Sequence, residues 1–476
     1  MAADVARPPS LLSNLAGLDE LPTATALQLQ NTATEPSEDT ISMPHVDSNT
    51  PDDEYLIGLY YRYIHPAHPF LLPQKLYQHN RGLFPDHLKR AMCFIASHHS
   101  STFPEQHRDA SNAVFEPSVV NDAFKVQSLI LVTLASYARF ERDRGNTALN
   151  AAIDVAHQIG LNSDTFGQDH EPLFRESWRR TWWELYTISG LISLIGSTNV
   201  RLSQPVFMTL PCDCESYNAC QAPRTGNVED IRGRFRAEEP IKWSSFAYRV
   251  EAMRILSMVL DAAQGTTSSR IRASEAAVSS WLLSLPEEKR EGLKDDGEVD
   301  EVMSCALMII HLASICLHLP QSPLARAGDF RTVCGNNFCR AASDTPKLHH
   351  VAALRSAKAL ARLLTSHATL STLSPCFSCA IAFSAVVLLS EYSTHAQARP
   401  EDISENLQLE LSALQLLGQT WPIARVVRGQ IAGFARDVMG RPASSNQAEG
   451  LADLGLSSAD DLWLQDLIGE TAMLPE

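Results

Sequence analysis

The chain has 476 residues, of which 45% are hydrophobic and 20% charged, a globular composition too long for one ordinary hydrophobic core. Its formal net charge of −16 excludes nucleic-acid binding by overall charge. Phosphate affinity comes from lysine and arginine, so any DNA contact needs a local basic module or a partner. The first thirty residues carry Arg7 as their one cation, and "SLLSNLAGL" is too short and broken for a secretory signal.

Residues 1–50 are rich in Ser, Thr, Pro and acids and hold no aromatic residue. They cannot bury enough apolar surface to offset their ordering entropy, and a disordered arm is expected. Structure is expected to start at "DDEYLIGLYYRYIHPAHPFL", where Tyr55, Leu59, Tyr63 and Ile64 recur at helical spacing. His65-Pro66 should end that helix, because the residue before proline avoids the α region.

Two helices then read as a hairpin. "AFKVQSLILVTLASYARF" places Val126, Ile130, Thr133, Leu134 and Tyr137 on one face, and "ERDRGNT" reads as a polar turn. "ALNAAIDVAHQIGL" aligns Ala148, Ala152, Val155, Ala156 and Ile159, with Gly160 as a left-handed stop and Leu161 folding back over the last turn. Such hairpins are the unit of helical bundles and solenoids.

The next helix contains "ESWRRTWWELYTISGLISLIGS". Trp178, Trp182, Leu185, Ser189, Ile192 and Ile195 follow the 3.6-residue repeat, and Trp183 and Tyr186 widen the stripe. On the other side Glu176, Arg180 and Glu184 stand four apart, each carboxylate able to pair with Arg180. Acid-flanked arginines and tryptophans at core spacing predict a structural helix, not a grip on nucleic acid. Trp178, Trp182, Leu185 and Ile192 of this helix, with the Gly160 stop of the preceding one, are the expected structural core residues.

"WSSFAYRVEAMRILSMVLDAA" and "ASEAAVSSWLLSLPEEKR" continue the amphipathic pattern, residues 321–350 read as a loop, and further helices are expected over roughly 351–439. The uncharged stretches Val302–Leu319 and Ser371–Ser390 contain histidines or a proline with many serines, and read as buried helices, not membrane spans. No alternating strand pattern or fixed-period repeat is present. The expected fold is all-α: a large helical-hairpin, solenoid-like domain over 51–440, between the arm of 1–50 and a tail of 441–476.

That tail holds seven carboxylates and one arginine. In "SSADDLWLQDLIGE" the residues Trp463, Leu464, Leu467 and Ile468 share one face between acids. They form a candidate activation surface for a partner's groove, or a helix packed back on the domain.

Chemical motifs are sparse. Cys376 and Cys379 make a C-x2-C, and Cys212, Cys214 and Cys220 form a cluster, but neither has a second ligand pair at zinc-site spacing. His311 and His318 lie two turns apart, about 10 Å along the axis, too far to share an ion. The adjacent pairs His98-His99 and His349-His350 read as packing, surface or capping residues. No phosphate loop, zinc-protease helix or nucleophile elbow occurs. No catalytic, cofactor-binding or metal-ligating residue is assigned, and no enzyme is expected.

The order of signals is more specific than any one of them. "LYYRYIHPAHPFL", "VQSLILVTLASYAR", "ALNAAIDVAHQIGLN", "ESWRRTWWELYTISGLISLIGS" and "LPCD" at Leu210–Asp213 together resemble the fungal-specific transcription factor domain, the helical middle region of binuclear zinc cluster regulators. "SSWLLSLP" and "HLASICLHLP" are similar to its later helices, so the resemblance spans roughly 54–320 and extends toward 440. It implies a nuclear transcription regulator, shuttling with the cytoplasm, that serves a metabolic or secondary-metabolite pathway.

Two departures stand out. Ser189-Gly190 replaces the family's usual Asp-Arg pair. The family's six-cysteine zinc cluster has no counterpart, since the first cysteine here is Cys93. Action through protein contacts is therefore expected, with the transcription machinery, a DNA-binding regulator or a homo- or heterodimer partner. DNA itself would be contacted only through an N-terminal module missing from this chain, and no membrane is expected. The alternatives are a small-molecule-binding helical module with Trp182, Trp183 or Trp243 at its wall, and a helical enzyme.

Overall fold

The structure is a computed structural model. It describes residues 51–439, apart from 101–103, 196–201, 203–207, 224, 235–241, 265–267, 329–332, 334–342, 368–369 and 395–399, together with Leu464 and Leu467. The expected N-terminal arm lies outside the described residues. Among those described there are sixteen α-helices and no strand, only the isolated bridges Thr209–Asn227 and Leu293–Val299. The all-α expectation holds.

The first layer comprises α1 (Pro51–Leu59), α2 (Gln74–His79), α3 (Asp86–Ala96) and α4 (Pro104–Ala110). α1 runs directly into a π-helical turn, Tyr60–Ile64, closed by the His65 N–H donating to the Tyr60 carbonyl at 2.9 Å. The wider turn rotates the apolar face. Tyr60, Tyr61 and Ile64 are buried, while Tyr55, expected on the core face, is 57% exposed.

α5 (Ala123–Ala138) and α6 (Arg142–Gln158) form the expected antiparallel hairpin. Asp122 caps α5 by accepting from the Lys125 N–H at 2.8 Å. The connection is shorter than "ERDRGNT", because Arg142 already begins α6. Only Arg139–Glu141 turn, with Phe140 in the left-handed region at φ 65°. The polar residues of this segment belong to the helix. Asn146 accepts from the Tyr137 hydroxyl at 2.6 Å, and Arg144 donates to Ser111 at 2.7 Å. α6 stops at Gly160 (φ 73°), where the Leu161 N–H returns to the Ala156 carbonyl at 2.9 Å and Leu161 is buried. This is the Schellman arrangement expected from the sequence.

α7 (Pro172–Ile195) crosses the middle of the body. Trp178, Trp182, Leu185 and Ile192 are buried as expected, and so are Trp183 and Tyr186. Two short helices, α8 (Cys214–Asn218) and α9 (Val228–Arg232), lead to α10 (Ser245–Gln264) and α11 (Ser268–Leu283). α12 (Glu301–His318) lies along α10, and α13 (Pro346–Thr365), α14 (Cys376–Thr394), α15 (Glu401–Thr420) and α16 (Pro422–Met439) follow as successive neighbours. The loop expected over 321–350 is interrupted by a 3-10 turn at Pro323–Arg326, and α13 starts earlier than expected because Pro346 suits a first helical turn.

α12 and α14 carry the two long uncharged stretches. Both are long and apolar enough to cross a membrane, but 89% of each apolar window is buried by neighbouring helices. The chain also closes on itself. α16 meets α5, and the Trp421 ring lies 5.3 Å from that of His98 and 5.1 Å from that of His99. The histidine pair at 98–99 is thus a packing element, with His99 also stacked on Tyr63 at 4.6 Å.

Gly167 sits at φ +68°, and a Cβ there would fall 2.3 Å from the Trp178 ring. Gly297 has φ +82° with open space around it. We predict that Gly297→Ala costs only backbone strain, about 1–2 kcal/mol, whereas Gly167→Ala costs clearly more because the indole must also move. Thermal unfolding midpoints of the two variants check the order.

Candidate functional site

The most heavily engineered region lies on the face of α7 that the sequence pattern assigns to charge. Glu176, Arg180 and Glu184 are all completely buried. Their expected mutual pairing is half right. Arg180 Nε donates to Glu176 Oε1 at 3.0 Å, but Glu184 serves other partners: His68 Nδ1 at 2.7 Å and the Arg249 guanidinium of α10. The face is buried because α10 and the segments around residues 67–70 and 212–217 cover it, which a single-helix pattern does not reveal.

Arg180 has a partner for every guanidinium nitrogen, whereas the Nε of Arg249 is buried without one. Arg180 donates to the Pro69 carbonyl at 3.0 Å and the Cys212 carbonyl at 2.8 Å, and its guanidinium lies 4.0 Å from the Tyr217 ring centre. Glu176 Oε1 also accepts the Cys212 N–H at 2.9 Å. Arg249 donates to the Ala67 carbonyl at 2.8 Å and packs 4.1 Å from the Phe246 ring centre. His68 Nε2 then meets the Ser374 hydroxyl at 2.9 Å, just before α14. "HPAHPF" and "LPCD" are therefore the loops that close over α7. Trp183 adds a further tie, donating to the Thr209 carbonyl at 2.9 Å.

The electrostatics follow from these contacts. Burial alone would raise the Glu184 pKa, but Arg249 and His68 outweigh it and hold the carboxyl below its ordinary range. Burial opposes the Arg180 charge as well, yet the Glu176 carboxylate beside it keeps it fully protonated. Burial and the Arg180 charge push His65 down to about 3. Burial pushes the Cys212 and Cys376 thiols up to about 12, which removes the thiolate that nucleophilic or metal chemistry requires. Carboxylates this committed hold segments together and do not shuttle protons.

Where the family usually carries Asp-Arg, Ser189 donates to the Tyr186 carbonyl at 3.0 Å and Gly190 faces Met253 of α10. A Cβ on Gly190 would stand 2.3 Å from the Met253 methyl. A close apolar contact replaces the polar pair, and a larger side chain would push α7 and α10 apart.

Trp182, Trp183 and Trp243, expected at a ligand wall, do not line the apolar void found among the described residues. Trp182 packs edge-on to His157 at 5.5 Å, and Trp243 is buried beside Gly226. The apolar void that does occur lies between α5, α7, α12 and α14, lined by Leu134, Ile188, Leu191, Ile192, Cys376 and Cys379, and holds only about 30 Å³ of open space. That is room for about one water.

Of the tail residues, Leu464 and Leu467 are buried in helical backbone within the main hydrophobic core, while Trp463 and Ile468 lie outside the described residues. These two leucines therefore occupy the packed-back arrangement and are not presented to solvent. His318 pairs with His349 across two helices and not with His311, and Glu275 is adjacent. Spacing within one helix gives no sign of this cluster.

Two predictions follow from the buried charges. Arg249→Met leaves Glu184 short of its main counter-charge and should destabilise the protein by about 3–5 kcal/mol, read from urea unfolding. Because the folded Glu184 pKa is lowered, its contribution is present above the unfolded carboxyl value and disappears as pH falls through the folded one. Glu410 of α15 shows the opposite sign. It is buried without a hydrogen bond of ordinary geometry, the nearby Ser384 hydroxyl being given to the Ala357 carbonyl, and burial raises its pKa well above the usual range. Its stabilisation is full below the unfolded value and is lost as pH rises. The Tm advantage of Glu410→Gln over the parent should therefore grow between about pH 5 and about pH 8.

Comparison with known proteins places these features. Residues 59–285 match the fungal specific transcription factor domain. The chain is 28% identical over 409 residues to the C6 finger domain transcription factor iacK of Pestalotiopsis fici, an alignment covering 83% of this chain and 61% of that relative. The chain thus spans less than two thirds of the relative's length. No solved structure matches it.

Proposed function

We propose that this chain, whose residues 59–285 belong to the fungal specific transcription factor domain family, is a non-enzymatic regulator of transcription working in the nucleus. The observation that carries this reading is the family match on a helical body whose described tryptophans, with Arg180 and Arg249, are buried. The body is the regulatory part. Sequence-specific DNA contact comes from a zinc-cluster segment, on a partner or on a longer form of the same polypeptide, since no cysteine precedes Cys93 here. A chain with net charge −16 suits contacts with basic surfaces of regulators or of the transcription machinery.

The small-molecule alternative has little support from the described interior. Ligand pockets usually run to roughly 300–1,000 Å³, far above the void beside Ile192. A larger cleft of about 460 Å³, lined by Arg355, Lys358, Arg362 and Asn406, is an open surface groove and not an enclosed apolar site.

The test is a reporter. The whole chain fused to an unrelated DNA-binding domain should change reporter output several-fold, up or down, and the untagged protein should co-purify with nuclear chromatin. A silent fusion together with exclusion from the nucleus would sink the proposal. Residues 441–476 fused alone should switch the reporter on, and Trp463→Ala with Leu467→Ala should silence it. If the intact tail leaves the reporter dark, recruitment belongs to the helical body.

A further inference from the structure

We propose that Glu275, His318 and His349 form a binding site for a divalent transition-metal ion of the zinc type. The inference stands apart from the regulatory role proposed above. Three helices build the cluster: Glu275 lies on α11, His318 ends α12, and His349 lies near the start of α13. One donor atom from each lies within 4.8 Å of the other two.

The spacings suit an ion. His318 Nδ1 and His349 Nδ1 stand 2.9 Å apart, and Glu275 Oε1 is 3.7 Å from His349 Nδ1. In a tetrahedral site with bonds of about 2.0–2.1 Å, neighbouring donors sit roughly 3.3–3.4 Å apart. The two distances bracket that value, and the third, from Glu275 to His318, lies within 4.8 Å, so the carboxylate must move in toward His318 to complete the geometry. Two imidazoles and one carboxylate are a zinc-type donor set, and the fourth position falls to water or another ligand.

Access agrees. The Glu275 side chain is 32% exposed and that of His349 only 7%, so an ion enters from the Glu275 side and becomes partly shielded. A bound ion would clamp α11, inside the matched segment, to α12 and α13 beyond it.

The purified 476-residue chain, stripped with chelator under reducing conditions, is titrated with Zn²⁺ against a chromophoric competitor and with Co²⁺ followed by absorption. Expected are saturable Zn²⁺ binding, a rise in the thermal midpoint, and Co²⁺ ligand-field bands without thiolate charge transfer. Glu275→Gln and His318→Gln should each weaken binding at least about tenfold. The half-exposed Glu275 makes the first variant safe for folding, which circular dichroism verifies. Failure to bind Zn²⁺ overturns the site, as does unchanged affinity in Glu275→Gln, or a thiolate charge-transfer band showing that cysteines hold the ion.

Discussion

Two guanidinium groups inside a hydrophobic body set the terms for everything around them. Arg180 and Arg249 are almost wholly removed from water, and an unpaired charge at such depth is costly enough to unfold a domain. Their tolerance depends on answering nearly all of their donors, with Glu176, Glu184, the carbonyls of Ala67, Pro69 and Cys212, and two aromatic faces. Buried ion pairs of this kind add less to stability than well-packed aliphatic groups would. What they do here is fix register. A one-turn slip of α7 against α10 would strand several charges together, so incorrect packings are penalised more heavily than a greasy interface would penalise them.

The same network accounts for the contrast between composition and architecture. Arg180 of the aromatic-rich helix and Arg249 beside it are spent internally, and that helix is scaffold. The close approach at Gly190 and Met253 belongs to this arrangement. It draws α7 and α10 together beside the charged cluster, where a bulkier polar pair would hold them apart.

Much of the fold is legible in periodicity. The stripes of α5, α6 and α7, the glycine stop at Gly160 and the buried character of α12 and α14 all follow from residue spacing, because burial on one helix face leaves a repeat in sequence. The charged face of α7 is misread for the same reason. Spacing reports which residues share a face but not what covers it, and Arg249 and His68 are remote in sequence. Tyr55 is misplaced because a π-turn adds a residue to the helical period at Tyr60–Ile64. The cluster of Glu275, His318 and His349 leaves no local trace, since its members sit on three helices. The tail pattern is amphipathic in either environment, so it does not distinguish a partner's groove from the chain's own core.

The contact between Trp421 and the His98-His99 pair, with the hydrogen bond from His68 to Ser374, has a bearing on biosynthesis. The earliest helices find their last neighbours only in the final quarter of the polypeptide. At roughly 5–20 residues per second, the ribosome takes on the order of half a minute to deliver Trp421 after His98. Through that interval the N-terminal layer stands with apolar rings exposed and one nitrogen of His68 without its Ser374 partner, a natural client for chaperones. A fragment cut at the end of the matched segment would stay in that unfinished condition.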